Sequence, residues 1–157
     1  VVIFLVLPGL FFAMNPIYEG DFNKSGKPKA LTENQILTDV LNHNANFEGL
    51  VCVASPNCPF CIEAVQTKIY RVYQRGKIDV LVYLGIGDEA VANQFRTNAN
   101  APDMPIILNS VPDAGLDIDE NVIPVFLYIR KGEIVHLWRN EQLGFPALDW
   151  IESGLPQ

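Results

Sequence analysis

The 157-residue chain predicts an α/β fold, a central mixed β-sheet flanked by helices and preceded by a hydrophobic N-terminal segment. Three observations carry this prediction. GLVCVA (Gly49–Ala54) and DVLVYL (Asp79–Leu84) are short, continuous, Val- and Leu-rich runs of the kind that form strands covered on both faces. Between them Ile62, Val65, Ile69, Val72 and Tyr73 recur at helical spacing until Gly76, so β, α and β follow in order, and a right-handed parallel crossover is the economical arrangement. Further on, VFLYIRKGEIVHLWR holds two apolar, aromatic-rich runs joined at Lys131-Gly132. That pattern is an antiparallel hairpin, with the glycine supplying the positive φ of a tight turn.

Residues 1–14, VVIFLVLPGLFFAM, are uncharged and almost wholly apolar. The run is shorter than the roughly 20 residues that span a bilayer, and it lacks the charged flank of a signal peptide. It reads as part of a membrane segment. Residues 15–30 mix two prolines, glycines and both charges without periodicity, as a linker does, and residues 31–157 form the folded domain. Thr32 and Gln35 make a capping box, with Leu31 and Ile36 as the hydrophobic staple around it, opening a helix that runs to about Asn44 with Ile36, Leu37, Val40 and Leu41 as its apolar stripe. Residues 87–97 read as a second amphipathic helix, opened by Asp88 and burying Val91 and Phe95. Residues 98–121 give no clear pattern beyond a short strand at PIILNS, and FPALDWIESG closes the chain as a short helix with Trp150 and Ile151 turned inward.

Eleven basic residues against eighteen acidic ones give a formal charge of −7. That balance argues against a nucleic-acid partner, since phosphate binding needs clustered Lys and Arg. The three cysteines, Cys52, Cys58 and Cys61, lie within ten residues of one another, which is no disulfide framework of a small secreted scaffold. It is a poor zinc site as well, because a structural zinc wants four ligands and His43 and His136 lie far off in sequence.

A Cys-x-x-Cys pair by itself is open to three readings: a redox couple, half of a metal site or a structural staple. The context here favours redox chemistry, because the pair joins a buried strand to an amphipathic helix and no second pair completes a tetrahedral site. A strand ending at Ser55-Pro56 and a helix starting near Asn57 place Cys58 in the first turn, where unsatisfied backbone N–H groups and the helix dipole favour negative charge on sulfur. Cys58 is thus the nucleophile. Cys61, three residues on, shares that side of the helix but is more deeply covered, so it resolves a mixed disulfide formed on Cys58. Pro59 is tolerated at the helix start because its missing N–H would have had no partner. Phe60 is expected to be exposed and to contact a partner. No cofactor beyond the dithiol is called for.

With these residues in view, VCVASPNCPFCIEAV followed some sixty residues later by NVIPVFLYIRKGEIVHLWR resembles the thioredoxin superfamily over about residues 47–154. The resemblance implies a thioredoxin-like fold and a thiol–disulfide oxidoreductase acting on protein thiols or disulfides. It also implies that Pro124 is a cis-proline facing the cysteines and that the Ile123 backbone pairs with an extended substrate segment. There are departures. Asn57 stands where thioredoxins have Trp, and Cys52 stands where they bury an Asp; a buried thiol on a strand usually acts as a small hydrophobe. The Pro-Phe dipeptide resembles that of glutaredoxins.

The arrangement of an apolar segment leading into such a domain resembles bacterial membrane proteins of the DoxX type. It implies a domain anchored to the membrane and held outside the cytoplasm, in the periplasm or at the cell surface, although Lys24, Lys27 and Lys29 after the segment would favour the cytoplasm under the positive-inside rule. The competing function is a non-catalytic module that binds a partner protein or a soft metal such as Cu(I), with Cys52 as a third sulfur. Of the remaining polar residues, His136 is expected at the surface or edge of the hairpin, His43 at a helix C-terminus, and Asp117, Asp119 and Glu120 in a solvated loop.

Overall fold

The computed structural model describes residues 35–85, 87–109 and 123–153. The capping box at Thr32, the N-terminal membrane segment, the linker and the acidic run at 117–120 lie outside the described residues. Helix α1 (Gln35–His43) leads into strand β1 (Gly49–Ala54). The long helix that follows has three parts: α2 (Pro59–Ala64), a π-helical stretch (Val65–Ile69) and α3 (Tyr70–Arg75). Then come β2 (Asp79–Leu84), α4 (Glu89–Asn98), β3 (Ile106–Leu108), β4 (Val125–Arg130), β5 (Glu133–Arg139) and α5 (Phe145–Ser153).

The strands form one mixed sheet in the order β3-β2-β1-β4-β5. β1 and β2 are parallel, as are β2 and β3, while β4 is antiparallel to both β1 and β5. The α/β class expected from the apolar runs is the one observed, and β1 lies at the centre with every residue buried. Alternation along the strands divides the core in two. Leu50, Cys52, Val82, Phe126 and Trp138 face a layer built from the three-part helix, α4 and α5. Val51, Val53, Tyr83, Leu127 and Ile129 face α1, whose Ile36, Leu37 and Val40 are buried against them. Each large apolar side chain removed from water in this way contributes about 1.5–3 kcal/mol.

Two close contacts organise the sheet around β1 and β2, one where the strands begin and one near their other end. Gly49 pairs with Asp79, and a Cβ at position 49 would run into the Asp79 backbone carbonyl, so only glycine lets the strands start side by side. Across the sheet, the Tyr83 hydroxyl donates to Asp39 Oδ2 at 2.7 Å and Gln35 Nε2 donates to Asp39 Oδ1 at 2.7 Å, which ties α1 to β2.

Several expectations need correction in detail. The long helix is not uniformly α: its π-helical stretch, where each turn holds an extra residue, moves the buried set to Cys61, Ala64, Val65, Ile69 and Val72 and leaves Ile62 and Tyr73 half-buried. In α4, Asp88 is the N-cap as expected, accepting from the Val91 amide at 3.0 Å, but Ala92 takes the buried place expected for Val91. The β4–β5 turn needs positive φ at Lys131 as well as Gly132, 53° and 76°, the signature of a two-residue hairpin turn in which both central residues are left-handed. In α5, Ile151 is buried and Trp150 half-buried. Among the described residues no helix is long and apolar enough to cross a membrane.

Candidate active site

β1 ends at Ala54, and the loop Ser55-Pro56-Asn57 turns the chain into α2. The Cys58 amide donates to the Ser55 carbonyl at 3.2 Å, closing this loop. The helix begins at Pro59, not near Asn57, so Cys58 is the N-cap with extended backbone (φ −85°, ψ 112°) and does not lie in the first turn. Its sulfur then does what a capping oxygen does elsewhere: Cys58 Sγ accepts the Cys61 backbone N–H at 3.2 Å. The Cys58 carbonyl accepts from the amides of Cys61 and Ile62, both at 3.1 Å. Pro59, at the first helical position, has no N–H to leave unpaired.

A second segment closes on the same sulfur. The Ile123-Pro124 bond is cis, and the Cys58 thiol points at the Ile123 carbonyl oxygen, 4.0 Å away and 65 residues along the chain. Pro124 is buried and Ile123 half-buried just before β4, which pairs with β1. The structure thus brings together Cys58, Cys61, Pro59, Ile123 and Pro124.

The two thiols differ sharply in surroundings. Cys58 is half-buried, whereas Cys61 is 0% exposed, and all three cysteines are free thiols. Burial, and secondarily a hydrogen bond to the Cys58 side chain, push the Cys61 thiol up to about 12, with the Ser55 backbone acting in the opposite direction. Cys52 sits on β1 between Val82 and Phe126, and burial holds its thiol far above the ordinary range with a further push from the nearby Cys61 and Cys58. Next to Cys58 on the solvent side, Phe60 is 64% exposed. An apolar ring so exposed does not serve the core.

No group of three or more His, Cys, Asp or Glu side chains among the described residues is placed to hold a metal ion.

Sequence reasoning missed two sets of contacts. Lys68, in the π-helical stretch, donates from Nζ to the Asn140 carbonyl at 3.2 Å and so ties the cysteine-bearing helix to the turn after β5. His136 lies on the edge strand β5 as expected, half-buried: its ring stacks on Trp138 at 5.3 Å and packs edgewise with Trp150 at 5.1 Å, and burial lowers its tendency to take up a proton. The His136-x-Trp138 spacing on one strand face was the available signal. The edge contact to Trp150 depends on where α5 packs and left no trace in sequence.

The chain is similar to StoA from Bacillus subtilis. The solved structure of that protein aligns over 67% of this chain and 82% of its own, at 21% sequence identity and a TM-score of 0.46. No protein-family model and no curated protein sequence matches the chain.

Proposed function

We propose that this chain is a thiol–disulfide oxidoreductase that exchanges disulfides with protein partners. The observation that carries the reading is the placement of the Cys58 sulfur. It is accessible at a helix start, accepts a backbone N–H, and faces the carbonyl of a residue that precedes a cis-proline, while Cys61 waits buried one turn behind it.

In the reducing direction the Cys58 thiolate attacks one sulfur of a partner disulfide. A Cys58–partner bond forms and the partner's other sulfur leaves as a thiolate. Cys61 then gives up its proton and attacks Cys58 Sγ. A Cys58–Cys61 disulfide forms and the second partner thiolate departs, so two electrons have passed to the partner. Run backwards, the same steps oxidise a partner dithiol. Ile123, Pro59 and Phe60 form the surface that an extended partner segment meets, and Pro124, expected on that surface, is buried behind it. Its apolar N-terminal segment anchors the protein to a membrane, with the domain outside the cytoplasm, so the partners are exported or membrane-associated proteins.

Catalysis of insulin reduction by dithiothreitol tests this reading. The protein accelerates the reaction and Cys58→Ser removes the acceleration. If wild-type protein is no faster than the uncatalysed mixture with both insulin and a second disulfide protein, the assignment is wrong.

A further inference from the structure

The chain enters the described domain at the same pole as Cys58. The turn after α1 (Asn44, Phe47) feeds the start of β1 at Gly49, with the Phe47 amide bonded to the Asn44 carbonyl, so α1 runs antiparallel to β1. Side-chain bonds set the height of its other end. Asp39 meets the hydroxyl of Tyr83, which pairs with Val53 near the end of β1, and Gln35 lies one further turn toward the chain start. Gln35 thus lies beyond the level of Val53, toward the end where Ala54 leads into Cys58. Asn46 in the α1–β1 turn and Glu133 at the β4–β5 turn lie at the far end, since Glu133 pairs with Arg130 and Gly49 faces Ile129. A six-residue strand separates the two ends by about 17 Å.

We propose that the Cys58 pole faces the bilayer, so that the dithiol serves disulfides held close to the membrane surface. The inference rests on the proposed function and on reading the apolar residues 1–14 as a membrane anchor. About 20 residues separate that segment from α1. A flexible tether of about 20 residues would have a root-mean-square reach of about 25 Å, less than the roughly 35 Å width of a domain of this size. With the attachment at the Cys58 end, that end is on average the nearer to the lipid. A partner disulfide far out in solution would have to reach past the domain to the face turned toward the membrane, whereas one a short distance above the bilayer is met directly.

The full chain in phosphatidylcholine vesicles containing a lipid with a nitroxide on its headgroup tests this. A small fluorophore is attached to Cys58 in a Cys61→Ala background, or to Asn46→Cys or Glu133→Cys in a Cys58→Ser/Cys61→Ala background; Cys52 is buried and stays unlabelled. The expected result is a larger fractional loss of emission at position 58 than at both 46 and 133. Equal or larger quenching at the far-end positions, in protein that floats with the vesicles, overturns the proposed orientation and leaves the membrane reading standing. Protein that does not float overturns both, while catalysis of insulin reduction in the same preparation reports separately on the redox reading. Two far-end reporters keep the comparison meaningful should one variant fail to fold.

Discussion

The backbone amide of Cys61 donates to the sulfur of Cys58 across 3.2 Å. In the proposed reaction one residue is therefore both the resolving thiol and, through its main chain, a hydrogen-bond donor to the attacking sulfur. Substituting the Cys61 side chain leaves that amide in place, which separates the two roles experimentally.

Cys61→Ala is expected to keep Cys58 reactive and to accumulate a mixed disulfide with protein partners, because attack still occurs and release does not. Non-reducing electrophoresis shows the adduct and dithiothreitol removes it. A Cys58→Ser/Cys61→Ala chain forms none. Adduct formation by that double variant would locate the nucleophile elsewhere.

Alkaline pH should destabilise the dithiol form. A thiol near 9 in the unfolded chain and about 12 in the folded one keeps its proton longer when folded, so its contribution is complete below about 9 and is lost as pH rises toward about 12. The loss reaches up to about 1.4 kcal/mol per pH unit for such a thiol. Buried Cys52 adds a loss of the same sign, as do Tyr83 and Tyr128, whose hydroxyls burial also pushes up. Urea unfolding across that range measures the slope. It should be shallower in Cys61→Ala than in the reduced wild type, and identical slopes would contradict the buried, neutral state of Cys61.

Tyr83→Phe removes the hydroxyl that bonds Asp39 and leaves a half-buried carboxylate one donor short. The expected cost is about 1–3 kcal/mol, read by chemical denaturation. Insulin reduction by the folded variant should be unchanged, because Tyr83 points to the α1 face and Cys61 to the other.

Gly49→Ala should cost more than the roughly 0.5–3 kcal/mol of an ordinary substitution, because the obstacle is the Asp79 backbone, which cannot swing away as a side chain would. A thermal melt unchanged from wild type would mean that β1 and β2 start further apart than described.

Phe60→Ser is expected to leave stability within about 0.5 kcal/mol, as exposed substitutions usually do, and to raise the KM for a protein disulfide with little change for a small-molecule disulfide. Equal effects on both would assign Phe60 to the chemistry and not to partner contact.

The amino-acid sequence by itself determined the order of the elements, the strand–loop–helix setting of the Cys58/Cys61 pair, the Asp88 cap and the β4–β5 hairpin. These depend on signals within a few residues: apolar runs, 3.6-residue spacing, capping oxygens and turn glycines. The Val91/Ala92 exchange and the π-helical shift at Val65 were already beyond it, because which side of a helix is buried follows from the surface it packs on. Only the tertiary structure decided that β3 lies beside β2 and β4 beside β1, that the Ile123 carbonyl meets the Cys58 sulfur, that His136 joins Trp138 and Trp150, and that Lys68 holds the turn at Asn140. Those contacts join residues far apart in sequence. Closing loops of that length costs conformational entropy that no local pattern offsets; the burial of a sheet between two helical layers does so, and it acts only once the whole chain is in place.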